Sequence, residues 1–210
     1  MSAFKKNMLC LTLILVFPFF FKDVHGLNKL NVDILYEALC PDSLRFVRNQ
    51  LHPSWKELEP YINIHFVPFG KSQSINDGES FQCQHGPGEC NRNKIMSCAL
   101  QGIPDQSTQV EYVKCAMVSF FQENDPLGFA ERCATEAGLQ WSEIMTCYNS
   151  NIGTMLQLQA ERETQAIKPK FVPTILYNKT FDQVLQNDSI RNFKQVACSL
   201  VSQTHPNACS

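Results

Sequence analysis

The cysteine at position 40 is the residue of this chain with the clearest capacity for chemistry. Cys40 is followed by Pro41, Asp42 and Ser43, and proline is typical of the first turn of a helix. A thiol at a helix N-terminus lies near free backbone N–H groups, which stabilise the nucleophilic thiolate, whereas a nearby carboxylate disfavours it unless it points to solvent. Ser43 can donate a hydroxyl hydrogen bond to that thiolate but cannot form a disulfide. The segment predicts a site with a single nucleophilic cysteine.

The elements on either side of this segment are predicted from the spacing of apolar residues. Residues 29–36 alternate apolar and polar side chains and predict a buried strand that leads into Cys40. Leu44, Val47 and Leu51 recur at helical spacing, which predicts a helix that ends at Pro53. The segment Ser54–Glu57 matches a capping box for a short second helix.

The remainder of the chain predicts two further core strands separated by helices. Residues 61–69, with Ile62, Ile64 and Phe66 on one face, predict a strand, and the polar segment from Gly70 to about Gly88 predicts a loop. Helical periodicity follows at 95–100, 110–121, 129–137, 141–147 and 155–166, and the chain then returns to a strand at 171–177 and a final helix at 190–201. This order predicts an α/β domain over residues 27–210, with a helical insertion at about 76–166 between the second and third core strands.

Pro173 stands at the start of the last predicted strand, about 130 residues after Cys40. This order of elements resembles thioredoxin-like folds, which place a cis-proline there, with its backbone facing the active cysteine. An ordinary trans-proline in an edge strand is the alternative. We expect the cis form because the Cys40 segment lies where the same fold places its cysteine.

The N-terminal 26 residues predict a secretory signal peptide, since a basic start is followed by an apolar run and a small-residue cleavage site. That run is too short for a membrane anchor, and we predict no membrane span in the mature chain from Leu27 onward. Its net charge is about −4 once Lys5, Lys6, Lys22 and Asp23 are removed from 18 basic and 20 acidic residues, and nothing favours nucleic-acid binding. Sequons at Asn178 and Asn187 predict N-glycosylated surface loops in a secreted or lysosomal protein.

Cysteine parity predicts one unpaired thiol. The chain has ten cysteines, and loss of Cys10 with the signal peptide leaves nine, an odd number. In an oxidising compartment structural cysteines pair, so one remains for chemistry or for an intermolecular bridge. Three of them lie with His85 between residues 83 and 98, where a Cys₃His zinc site is the alternative to disulfides.

The segment from Cys83 to Cys98 carries a longer pattern: Cys-Gln-His-Gly, two residues, Glu-Cys, two residues, Asn, four residues, Cys. It resembles the signature of the gamma-interferon-inducible lysosomal thiol reductase family. The resemblance implies a thioredoxin-like, glycosylated, lumenal protein that reduces protein disulfides, with an active Cys-x-x-Cys pair at the positions of Cys40 and Ser43. It also implies that Cys40 is the free nucleophile and that four disulfides form among Cys83, Cys90, Cys98, Cys115, Cys133, Cys147, Cys198 and Cys209, with Cys198 and Cys209 as near neighbours.

Two functions are compatible with a site that has lost its second cysteine. The first is monothiol exchange, in which Cys40, with Ser43 and Pro173 beside it, acts on disulfide-bonded proteins and is released by a substrate thiol or a small thiol. The second is a non-catalytic secreted binding or host-defence protein on the same scaffold. An odd cysteine count also allows a disulfide-linked homodimer through Cys40. We predict no cofactor and no metal.

Overall fold

A three-stranded mixed sheet forms the centre of the protein. The structure is a computed structural model that describes residues 28–122 and 126–209; the predicted signal peptide at 1–26 and Leu27 lie outside these ranges. Strand β1 (Leu30–Tyr36) lies in the middle, parallel to β2 (Ile62–Pro68) and antiparallel to β5 (Thr174–Tyr177). The sheet therefore contains all three predicted core strands, and the strand that leads to Cys40 is the central one.

The two faces of the sheet pack against different helices. Val32 and Ile34 of β1 enter the main core with the apolar residues predicted for β2, whereas Leu35 faces a smaller cluster with Val67 and Ala160. This alternation follows from the two-residue period of a strand. Burial of both faces explains why β1 reads as a nearly continuous apolar segment towards its end.

The helical segment after Cys40 is longer than the sequence predicted. Helix α1 (Pro41–Phe46), a π-helical turn (Val47–Leu51) and helix α2 (His52–Leu58) follow one another without a break. The predicted end at Pro53 is wrong, because the π turn places that proline in the first turn of α2, where no N–H is required. The predicted capping box is also wrong, since the Ser54 hydroxyl donates to the Gln50 carbonyl at 2.6 Å.

The segment predicted as a loop contains a small hairpin. Strands β3 (Gln73–Ile75) and β4 (Ser80–Gln82) pair antiparallel around a turn in which Asn76, Asp77 and Gly78 have positive φ. Each strand has three residues, too few for an alternating pattern to be recognised in the sequence. Tertiary contacts hold the hairpin, because the Ser74 amide donates to the Glu161 carboxylate at 2.8 Å.

Five helices fill the insertion between the hairpin and β5. They are α3 (Pro87–Gly102), α4 (Gln106–Gln122), α5 (Pro126–Glu136), α6 (Trp141–Tyr148) and α7 (Asn151–Ile167). Four of them cover a predicted helical segment and extend beyond it, whereas α5 begins before the predicted segment 129–137 and ends one residue short of its end. Of the helices in the described ranges, none combines the length and apolar character needed to cross a membrane.

The final helix, α8 (Gln183–Val201), packs against the helical segment that begins after Cys40. Phe193 meets Phe46 edge to face, with ring centroids 5.4 Å apart. Asp182 caps the helix by accepting hydrogen bonds from the amides of Val184 and Leu185. The prediction began this helix at residue 190, because its first turns carry mainly polar residues.

Candidate functional site

Cys40 lies where the central strand passes into a helix. After β1, a turn closes with the Cys40 amide donating to the Glu37 carbonyl at 3.2 Å. Cys40 then adopts extended backbone angles as the N-cap of α1, and Pro41 occupies the first turn. The predicted placement of the thiol at a helix N-terminus is confirmed.

The sulfur of Cys40 contacts two backbone groups. Its Sγ accepts from the Ser43 amide at 3.5 Å and can donate to the Val172 carbonyl at 3.6 Å. Cys40 is 7% exposed, and it is the one cysteine without a disulfide among those in the described ranges.

Ser43 contributes to this contact through its backbone rather than its side chain. The hydrogen bond that its hydroxyl is able to donate to Cys40 is absent from the described structure, where the Ser43 hydroxyl is fully buried and has no hydrogen-bond partner. The backbone amide points along the helix axis at the N-cap sulfur, and this geometry is independent of the side chain at position 43. Serine therefore preserves the helix-terminal contact while removing a second thiol.

Asp42 extends away from the sulfur. Its carboxylate pairs with the Arg45 guanidinium at 2.9 Å, and both side chains are largely exposed. The Asp42 carboxylate is therefore held at the surface by Arg45.

Pro173 closes the site from the opposite side. The Val172–Pro173 peptide bond is cis, as predicted. Gln186 of α8 fixes this segment with both ends of its amide, since its Nε2 donates to the Pro173 carbonyl at 3.0 Å and its Oε1 accepts from the Ile175 amide at 2.8 Å. Sequence reasoning missed Gln186, and an isolated glutamine in a polar segment gave no signal.

A groove of about 410 Å³ opens next to Val172 and Pro173. Val172, whose carbonyl contacts the sulfur, belongs to its wall. The lining is mixed, with apolar side chains beside charges of both signs: Phe46, Phe171, Pro173, Ile190, Asp42, Arg45 and Arg191. An extended polypeptide with apolar and polar side chains fits such a surface.

The other eight cysteines of the described ranges form the four disulfides that the family resemblance implied. The bonds join Cys83 to Cys90, Cys98 to Cys147, Cys115 to Cys133 and Cys198 to Cys209. Two of them tie helices of the insertion together, α3 to α6 and α4 to α5. The alternative of a Cys₃His zinc site is wrong, because all three cysteines of that segment are bonded to other cysteines.

The histidine of the same segment contacts buried carboxylates. His85 Nδ1 lies 2.7 Å from Glu89 and 3.5 Å from Glu37, and both carboxylates are fully buried. Burial is the largest influence on Glu37 and raises its pKa above the ordinary 4.5. These three side chains bring metal-ligand atoms within 4.8 Å of one another, but hydrogen bonds to His85 and to backbone amides already account for their positions.

The two sequons occupy different kinds of surface. Asn178 lies in the turn after β5, as predicted, with its side chain accepting from the Asn31 amide at 3.1 Å. Asn187 is exposed but lies within α8, so the predicted loop there is wrong. Asn187 also lines the groove next to Val172 and Pro173.

Comparison with known proteins identifies the family. The model of the family described as gamma interferon inducible lysosomal thiol reductase matches residues 31–137. GILT-like protein 1 of Drosophila melanogaster is 37% identical over 197 residues, covering 87% of this chain and 79% of that protein. The gamma-interferon-inducible lysosomal thiol reductase of Carassius auratus is 31% identical, with 87% and 72% covered.

Solved structures with the same fold include DsbA proteins. That of Pseudomonas aeruginosa gives a TM-score of 0.57 at 15% identity, covering 90% of this chain and 89% of that one. The Chlamydia trachomatis protein gives 0.55 at 13% identity, with 85% and 88% covered. The predicted α/β, thioredoxin-like fold with a disulfide-stapled helical insertion is confirmed. With a matching family model, relatives above 30% identity and the fold in agreement, the chain belongs to the gamma-interferon-inducible lysosomal thiol reductase family.

Proposed function

We propose that this protein is a thiol–disulfide oxidoreductase that acts on protein disulfides through Cys40 alone. The observation that carries the proposal is the position of the free thiol, which lies at a helix N-cap and contacts the Val172 carbonyl before a cis-proline. Val172 and Pro173 in turn line an open groove. A relative that is named as a thiol reductase supports the same chemistry. The four disulfides are typical of proteins of the secretory pathway, and we place the protein in a secretory or endolysosomal compartment.

The reaction begins with attack of the Cys40 thiolate on one sulfur of a substrate disulfide. The S–S bond of the substrate breaks, a mixed disulfide forms, and the other substrate sulfur leaves as a thiolate that takes up a proton. A small thiol then attacks the sulfur of Cys40, which frees the second substrate thiol, and a second small thiol releases Cys40. One substrate disulfide is reduced to two thiols, and two small thiols are oxidised to one disulfide.

Without a small thiol, the same intermediate rearranges disulfides. A thiolate of the substrate attacks the mixed disulfide at the substrate sulfur, and Cys40 leaves with no net change in oxidation state. Ser43 cannot perform this release because it has no thiol. The protein is therefore better suited to isomerisation and thiol-assisted reduction than to unaided reduction.

The test follows reduction of a denatured, disulfide-bonded protein with and without excess small thiol. We expect activity that requires the small thiol and disappears in Cys40→Ser. Equal rates for wild type and Cys40→Ser would contradict the proposal and favour the non-catalytic binding protein. A Cys40-linked dimer on non-reducing electrophoresis of the purified protein would instead assign that thiol to an intermolecular bridge.

A second variant restores the missing thiol. In a single turnover with pre-reduced protein and no small thiol, Ser43→Cys should release fully reduced substrate and end with a bond between residues 40 and 43. Wild type should release no fully reduced substrate, because Cys40 either stays in the mixed disulfide or leaves by rearrangement of the substrate disulfides. Identical products from the two proteins would show that the side chain at position 43 does not determine release.

A further inference from the structure

We propose that Asn93 and Glu89, two polar residues of the signature segment, are positioning residues that hold the Cys40 thiol in place. They accept hydrogen bonds from the amides of Ala38 and Leu39, the two residues directly before Cys40. Their role depends on the proposed function only in that Cys40 is taken as the reacting group. On this proposal the signature segment supports the residues directly before Cys40 and also forms disulfides.

Asn93 makes the stronger of the two contacts. Its Oδ1 accepts from the Ala38 amide at 2.8 Å, and both residues are fully buried. Its Nδ2 has no hydrogen-bond partner in the described structure, so the acceptor oxygen is the polar atom that the site uses. A buried amide that loses its acceptor is costly, and the segment would move to find water.

Glu89 connects the signature loop to the same segment. Its Oε2 accepts from the Leu39 amide at 3.3 Å, and its Oε1 accepts from the His85 amide at 3.0 Å. The Cys83–Cys90 disulfide closes the loop that carries these groups. One fully buried carboxylate thus joins the start of α3 to the residue beside Cys40.

A third contact holds the opposite end of the turn. Glu37 accepts from the Lys71 amide at 2.7 Å, which ties the residue after β1 to the loop after β2. Residues 37–39 are therefore fixed by one side-chain hydrogen bond each. Cys40 follows them directly, and its sulfur lies 3.6 Å from the Val172 carbonyl oxygen and 3.5 Å from the Ser43 amide nitrogen.

The test compares three variants by the rate at which a small methanethiosulfonate reagent labels Cys40 in the folded protein at mildly acidic pH. Asn93→Leu keeps the side-chain size but removes the acceptor, and Asn93→Asp retains an acceptor oxygen. Gln157→Leu is the matched control, since Gln157 is 2% exposed and its amide donates to the Pro68 carbonyl and the Ser97 hydroxyl, away from the Cys40 segment.

We expect Asn93→Leu to label at least about tenfold faster, because local opening exposes a sulfur that is otherwise buried. Asn93→Asp should stay within about twofold of wild type, as should Gln157→Leu despite its lower thermal stability. An unchanged rate in Asn93→Leu, or an equal increase in Gln157→Leu, would overturn the proposal. Labelling of Cys40 does not require turnover. If the labelling rates are as expected but the protein has no exchange activity, the proposed function is contradicted and the positioning role is not.

Hydrogen exchange in the wild-type protein gives a test that does not depend on any variant folding. The amides of Ala38 and Leu39 should exchange as slowly as those in the middle of β1, because each donates to a fully buried acceptor. Exchange of both amides at the rate of exposed loops would overturn the positioning role.

Discussion

Replacement of Ser43 by alanine should stabilise the protein. The Ser43 hydroxyl is fully buried and has no hydrogen-bond partner in the described structure. Burying a hydroxyl without a partner costs about 1–3 kcal/mol, and removing a single oxygen leaves only a small cavity, so a net gain of about 1 kcal/mol is expected. For a domain of this size, that gain corresponds to about 2–4 °C in melting temperature.

A second buried serine supplies the control. Ser189 is also fully buried, but its hydroxyl donates to the Leu185 carbonyl at 2.6 Å and lies 2.7 Å from the Tyr177 hydroxyl. Ser189→Ala leaves the tyrosine hydroxyl unpaired and should lower stability by about 1–3 kcal/mol. The two serine-to-alanine changes should therefore shift the melting temperature in opposite directions.

The assay is thermal unfolding of both variants with Cys40 reduced. The proteins are produced without glycans, because Ser189→Ala also removes the sequon at Asn187. Thiol-assisted exchange should persist in Ser43→Ala, because the contact from position 43 to the sulfur uses the backbone amide. A loss of stability equal to that of Ser189→Ala, together with lost exchange, would refute the reasoning and give the Ser43 hydroxyl a direct role at the sulfur.

Two further predictions concern the disulfides and the buried carboxylate. Removing the Cys98–Cys147 disulfide, whose cysteines lie 49 residues apart, should lower the free energy of unfolding measured with denaturant by about 4 kcal/mol. Removing Cys83–Cys90, whose cysteines lie 7 residues apart, should lower it by about 2.5 kcal/mol, because the shorter loop restricts the unfolded chain less. Equal losses would contradict this explanation. Burial raises the pKa of Glu37, so its contribution to stability is complete below about pH 4.5 and is lost as pH rises through the folded value. Glu37→Gln should gain melting temperature relative to wild type as pH rises, and a constant difference would contradict this.

The sequence predicted the parts of the site that local rules determine. A strand that ends before Cys40, a helix that begins with Pro41 and a strand-initial Pro173 each carry a signal within a few residues. Cysteine parity predicted that one thiol stays unpaired, and the family resemblance identified it as Cys40. These features agree because they arise from neighbouring residues or from residue counts.

Other parts of the site were beyond the sequence because they depend on distant contacts. Asn93 and Ala38 are 55 residues apart, and Gln186 holds Pro173 from another element. The π turn that carries the helix through Pro53 is likewise absent from any local pattern. Hydrogen bonds between distant residues leave no periodicity in the chain, so spacing could not reveal them.

The most direct test of a single nucleophilic cysteine is mass spectrometry of the intermediate. Pre-reduced wild-type protein is mixed with a disulfide-bonded protein whose other cysteines are blocked, without small thiol, and quenched with acid. We predict a covalent adduct linked through Cys40 that disappears when a small thiol is added. Absence of the adduct, or an adduct through one of the eight disulfide-bonded cysteines, would contradict the account.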